Sequence, residues 1–207
     1  MEWQIADAQN LALIDREIGD YEFSPAEYEI VRRVIYATGD FEYKSLIRFS
    51  DRALPAGAAA LAARSTVIVD LPTIQVGIAS HIQKTFANPV YCSVDAHNWS
   101  PKNSNISWEI ETLARRYPEA IFVVSQGQAV LTALLELIEA EEIRPALVIG
   151  TPAGFIDVDV AKQRLNDSNV PHIRIDGRKG SAVVATAIIN GLVELAWQAY
   201  GHDDDEG

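Results

Sequence analysis

Two glycine-bearing turns place groups capable of chemistry where a strand pattern hands over to a helix pattern. Gly177-Arg178-Lys179-Gly180-Ser181 follows the run His172-Ile173-Arg174-Ile175-Asp176 and opens a helical stretch. Backbone N–H groups at a helix N-terminus, joined by the Arg178 and Lys179 cations, are suited to holding carboxylates. Gly150-Thr151-Pro152-Ala153-Gly154-Phe155 likewise follows a strand directly. Such turns also serve as plain connectors, and the pattern alone leaves both readings open. A third candidate is the segment 34–50, where polar and aromatic residues crowd a helix end. Gly39 is its natural left-handed stop, which puts Tyr36 in the last turn and Asp40 just outside it. That crowding reads either as a pocket or as a solvated helix end with an amphipathic connector.

The elements that must position these groups form an alternating series. Residues 5–18 have a helical pattern that stops at Gly19, and Ser24-Pro25-Ala26-Glu27 carries a capping box with proline in the first turn. Val31, Val34 and Ile35 continue its apolar stripe, and the alanine-rich run 55–64 reads as a short, closely packing helix. Five short, mostly β-branched or apolar runs follow: 66–70, 89–93, 121–125, 146–150 and 172–176. Unbroken apolar runs of this length indicate strands buried on both faces. Helical patterns lie between and after them, clearest at 107–116, 127–140, 157–167 and 181–200. The alternation predicts an α/β fold: a single, doubly wound, three-layer domain over residues 1–201, with a mainly parallel sheet flanked by helices. Ligands of such folds sit beyond the carboxyl ends of the strands, where Asp70, Ser125, Thr151 and Asp176 fall. Residues 95–105 form a loop-like insertion of the kind used as a lid or interface element, and 202–207 read as an acidic, disordered tail.

Composition excludes several classes. Seventeen Lys and Arg against 29 Asp and Glu give a net charge of −12, which speaks against a nucleic-acid surface and against an anionic membrane. An anion bound to this protein must therefore meet a local basic pocket. The single cysteine, Cys92, allows no internal disulfide, and the four histidines show no ligand spacing, so no metal is expected. There is no Gly-x-Gly-x-x-Gly or P-loop motif and no Gly-x-Ser-x-Gly elbow. The N-terminus lacks a basic, apolar leader, and the sequence reads as a cytoplasmic protein.

Ser24-Pro25-Ala26-Glu27, the stretch Arg33 to Asp40, Ile143 to Phe155, Ala161-Lys162 and Gly177 to Ser181 together resemble the precorrin-8X methylmutase family of cobalamin biosynthesis. The resemblance covers nearly the whole chain. It implies a homodimer with active sites at the subunit interface, no separate cofactor, and migration of a methyl group from C11 to C12 of a corrinoid, cobalt-free or cobalt-bearing. Peripheral carboxylates of such a tetrapyrrole agree with the anion-site reading. The family's catalytic histidine, thought to protonate the ring, falls at Tyr36. Its substrate site maps onto Asn10, Arg33, Thr38, Asp70, Asn105 and Gln126, and onto Thr151, Gly177, Arg178, Lys179 and Ser181. Phe41, Tyr43 and Phe49 would pack on the flat macrocycle or on the core, the core coming first for Phe49.

The chain departs from the family pattern at several of these positions. Asn10 replaces a serine, Ala79 and Ala129 replace threonines, and Asn105 replaces an arginine. A tyrosine phenol is a weaker acid than imidazole by roughly 3.5 pKa units, about 4.8 kcal/mol if all of it reached the barrier. Tyr36 is therefore expected to act as a hydrogen-bond donor to a ring nitrogen. The alternative expectation is a diverged paralogue that binds a corrinoid without rearranging it.

Overall fold

The computed structural model describes residues 5–94 and 106–201. Asn105, the insertion 95–105 and the tail 202–207 lie outside the described residues.

Helix α1 (Ile5–Glu17) leads to α2 (Pro25–Thr38), which starts as its sequence dictates. The Ser24 side chain accepts from the Glu27 N–H, the Glu27 carboxylate accepts from the Ser24 N–H at 2.8 Å, and Gly39 closes the helix at φ 66°. A single turn, α3 (Tyr43–Leu46), then runs into strand β1 (Ile47–Phe49). After α4 (Ala53–Ala62), strand and helix alternate in the expected way. The series is β2 (Val67–Val69), α5 (Pro72–Gln83), β3 (Val90–Cys92), α6 (Ile106–Arg116), β4 (Ile121–Val124) and α7 (Gln128–Glu139). It ends with β5 (Leu147–Gly150), α8 (Val158–Asp167), β6 (His172–Ile175) and α9 (Ala182–Tyr200).

These strands form one six-stranded sheet in the order β1-β6-β5-β4-β2-β3. The chain goes from β2 to the β3 edge, crosses back over β2 to β4, and continues outward through β5 and β6, all parallel. Short β1 covers the far edge antiparallel, with Ile47 opposite Ile175. The order reverses between β2 and β4, which is the topological switch point of a doubly wound sheet.

Alternate strand residues feed two separate cores. Val67, Val69, Ile121, Val123, Ile149 and Ile173 face the layer built from α2, α4, α5 and α9, with α1 packed beside α2. Ile68, Phe122, Val124 and Val148 face α6, α7 and α8. With both faces covered, the strands have no polar side to display, which is why they read as continuous apolar runs.

Three elements were not evident in the sequence: the single turn α3, strand β1 and helix α5. Strand β1 is only three residues long and exists through its pairing with β6. Helix α5 buries only Ile74, Ile78 and Ile82, and the β-branched residues and Gly77 around them weaken its helical signature. Helix α9 has 19 residues and is apolar enough by length and composition to cross a bilayer, yet Val184, Ala185, Ile188, Ile189, Leu192 and Val193 are fully buried against the sheet. Phe49 packs on the core, edge-on to Phe23, and Tyr43 is buried, so both serve packing first.

Replacing Ser24 with alanine removes both halves of the capping box and is expected to lower stability by about 1 kcal/mol. Urea unfolding checks this: the midpoint should fall with an unchanged slope, and an unmoved midpoint would contradict the assignment.

Candidate functional site

Three helices of one layer enclose a groove of about 430 Å³. Helix α9 supplies its floor with Ala182, Val183, Thr186, Ala187 and Asn190, a small-residue stripe opposite the buried stripe of the same helix. Helix α5 contributes Thr73 and His81, and the last two turns of α2 contribute Arg33, Tyr36 and Ala37. The walls stand close because two glycines let them. A Cβ on Gly77 of α5 would lie 2.8 Å from Thr186 Cγ2, and one on Gly191 of α9 would lie 3.0 Å from Arg33 Cδ.

The polar groups of the groove are few and fixed. Arg33 is only 8% exposed, and its Nε donates to Glu29 Oε1 at 2.8 Å. Asn190 donates its amide N–H to the Gly77 carbonyl at 3.1 Å, while its Oδ1 is buried with no hydrogen-bond partner in the protein. His81 is half-buried; burial, and next the nearby Arg33 charge, hold its pKa below the usual imidazole value. Tyr36 is 38% exposed at the rim.

The turn Gly177–Ser181 leads into the first groove residue, Ala182, and is tied down from three sides. Lys162 of α8 is buried and donates its ammonium to the carbonyls of Gly177 at 2.7 Å and Lys179 at 2.8 Å. Gly180 passes so close to the β5 turn that a Cβ there would meet the Thr151 carbonyl oxygen at 2.3 Å. Thr151 itself is buried and donates its hydroxyl to the Ser181 carbonyl at 3.3 Å. The Ser181 hydroxyl in turn accepts from the Val184 N–H and caps α9.

Lys179, expected to meet a ligand carboxylate, has acidic partners within the protein. Its ammonium donates to Asp40 Oδ2 at 2.5 Å and Glu42 Oε2 at 2.7 Å and lies over the Tyr43 ring. Those bonds raise its pKa and lower that of Asp40, so the charge is already neutralised within the protein. Arg178 is the exposed cation of the turn, 5.6 Å from the ring of the exposed Phe155.

Asp70 also sits differently from expectation. It is fully buried at the switch point, accepting from the N–H of Ser125 at 2.6 Å and of Gln126 at 2.5 Å. Burial raises its pKa and these bonds oppose the rise. Its carboxylate thus fills the place that a ligand anion takes in related topologies, and it holds β2 to the start of the β4–α7 turn. Thr38 spends its hydroxyl on the helix end, donating to the Val34 carbonyl at 2.7 Å and accepting from the Asp40 N–H. Asn10, on α1, and Gln126, after β4, are exposed and, like the exposed Ala79 and Ala129, are not among the residues that line the groove.

The groove therefore gathers Arg33 and Tyr36 of the expected residues, with Gly177, Arg178, Lys179 and Ser181 forming the turn at its entrance to α9. Sequence reasoning missed Thr73, His81, Thr186 and Asn190. The signal was present as the fourfold spacing Thr73-Gly77-His81 beside the buried Ile74-Ile78-Ile82, but it needed α5 to be recognised. Among the described residues there is no cluster of three or more His, Cys, Asp or Glu able to hold a metal ion.

Sheet order and groove define a doubly wound α/β protein whose open site lies on a helix layer, with its switch point sealed by a side chain. The sequence profile of precorrin-8X methylmutase matches residues 5–195, and the chain belongs to that family. It is 35% identical over 205 residues to the cobalt-precorrin-8 methylmutase of Synechocystis sp., covering 92% of this chain and 94% of that one. It is 31% identical over 207 residues to the cobalt-precorrin-8 methylmutase of Methanocaldococcus jannaschii, covering 92% of this chain and 95% of that one. The crystal structure of precorrin-8X methylmutase from Thermus thermophilus superposes with a TM-score of 0.85 at 33% identity, covering 94% of this chain and 97% of that one.

Lys162 gives the site a pH signature. Its burial lowers its pKa from 10.5 to about 8, so between those values the unfolded chain keeps a proton that the folded chain has lost. Stability linked to this group therefore rises with pH across that window. Relative to Lys162→Met, the wild type should gain on the order of 3 kcal/mol between about pH 8 and pH 10.5, read from paired urea titrations. A difference that is flat with pH would contradict the burial of the charge.

Proposed function

We propose that this chain is a methylmutase that moves a methyl group from C11 to C12 of precorrin-8X or its cobalt form in cobalamin biosynthesis. The observation that carries this reading is the near-complete match to methylmutases in sequence and fold: 35% identity over 92% of the chain, and a TM-score of 0.85. The reaction is an isomerisation. One carbon–carbon bond breaks at C11, one forms at C12, and no atom is gained or lost.

The groove suits part of a flat, partly apolar ring. Its small-residue floor admits a planar face, Tyr36 offers a phenol at the rim, and Arg178 offers a free-facing cation for a peripheral carboxylate. At about 430 Å³ it lies toward the small end of ligand sites, and it is too open to exclude water from a macrocycle unaided. A second copy of the chain would close it. The exposed apolar side chains of Val76 on α5 and Val183 on α9 supply surface for such a homodimer. The single, buried thiol of Cys92 suits a cytoplasmic location. The relatives named above are methylmutases, and nothing in the groove favours a carrier that binds without turnover.

Pure protein incubated with precorrin-8X should convert it to the hydrogenobyrinic chromophore, seen as a change in the visible spectrum; unchanged spectra with both the metal-free and cobalt forms would sink the reading. Arg178→Ala should weaken substrate binding by about tenfold or more, the loss of one charge-assisted contact, with kcat nearly unchanged. A fall in kcat at constant KM would instead place Arg178 at the reacting carbons.

A further inference from the structure

Three ionisable groups line the groove: Arg33 and Tyr36 from α2, and His81 from α5. They differ sharply in what they can do with a proton. A guanidinium does not release it in proteins, and a phenol keeps it to about pH 10. Imidazole alone exchanges it between about pH 5 and pH 8.

Asn190 supplies a second, independent observation. Its Nδ2 is committed to the Gly77 carbonyl at 3.1 Å, one turn before His81 on the same helix. That bond fixes the amide orientation and leaves Oδ1 buried without a partner. A buried acceptor left unpaired costs about 1–3 kcal/mol, a cost that a ligand N–H would remove. Metal-free pyrrole-derived macrocycles, precorrin-8X among them, carry such N–H groups at their centre.

We propose that His81 is the proton-exchanging catalytic residue of the methyl shift, with Asn190 Oδ1 accepting from a ring N–H and so orienting the macrocycle beside it. The assignment rests on the methylmutase reading above. In the shift, the His81 imidazolium gives its proton to the conjugated ring and leaves C12 electron-poor. The methyl group leaves C11 with its bonding pair and bonds to C12. The lone pair of the ring nitrogen attached to C11 then forms a C=N bond, and a ring proton returns to neutral His81. The product is an isomer of the substrate, and the enzyme ends in its starting state. Tyr36, at the groove rim, supplies a hydrogen bond and not the proton.

The surroundings of His81 suit the task. Arg33 faces it from α2, Glu194 from α9, and Lys84 shares its helix. Burial and Arg33 weaken its hold on the proton while Glu194 partly restores it, so the imidazolium is a stronger acid than a free one.

The test is steady-state turnover of metal-free precorrin-8X by the wild type, His81→Gln and Tyr36→Phe, with the affinity for the metal-free product corrinoid measured alongside. His81→Gln is expected to lose about 100-fold in kcat while product affinity stays within about threefold; Tyr36→Phe should lose less than about tenfold. A His81→Gln variant within about tenfold of wild-type kcat overturns the proposal. The wild-type pH profile decides independently of whether that variant folds. With His81 as the acid, kcat falls as pH rises above a value below about 6.5; a kcat flat to about pH 9 overturns the proposal and gives the role to Tyr36. A wild type that turns over neither substrate form sinks the methylmutase reading, and this inference with it. A wild type that turns over while His81→Gln matches it sinks this inference alone.

Discussion

Helix α9 is held at near-backbone distance by α5 on one side and α2 on the other, and the rest of the site follows from that contact. Gly77 is where Thr186 of α9 fits against α5; Gly191 is where Arg33 and Ile30 of α2 fit against α9. Both glycines lie inside helices, where each costs roughly 1 kcal/mol relative to alanine. The cost is offset by close packing that recesses α9 behind its neighbours and opens a groove along its outer face. Larger residues at either position would push the walls outward and separate Tyr36 and Arg33 from His81.

Electrostatics divides the same region into spent and available charge. Within a chain of net charge −12, Lys179 is paired with Asp40 and Glu42, and Lys162 is spent on two carbonyls of the turn. Asp70 is occupied at the switch point by two backbone N–H groups. These pairings fix the positions of α2, α8 and α9 relative to the sheet. What remains for a ligand is one exposed guanidinium at the turn, an unpaired carbonyl oxygen on Asn190, and the half-buried imidazole of His81 on the α5 wall.

Much of the fold was legible in the sequence because its determinants are local. The capping box at Ser24, the stop at Gly39 and the five apolar strand runs each declare themselves within a few residues. Strand β1 did not, since Ile47-Arg48-Phe49 becomes a strand only against β6, more than a hundred residues away. The site was less legible than the fold. Tyr36 and Arg33, both assigned to the site by motif position, line one groove, whereas the polar atoms of Asp70, Thr151 and Lys179 have partners within the protein. Which partner a polar side chain finds is a tertiary fact. His81 illustrates the converse: as one of four scattered histidines it carried no pattern, and its place opposite Tyr36 follows from how closely α5 and α2 approach α9.

The central claim is that a corrinoid lies in the groove walled by α2, α5 and α9. A crystal structure of the protein with its metal-free product corrinoid bound tests this most directly. The account predicts the macrocycle over Ala187, with Tyr36 and His81 on opposite sides and a ring N–H within about 3.2 Å of Asn190 Oδ1. A macrocycle seated instead at the carboxyl ends of β2 and β4, with the Asp70 carboxylate displaced from Ser125 and Gln126, would contradict it.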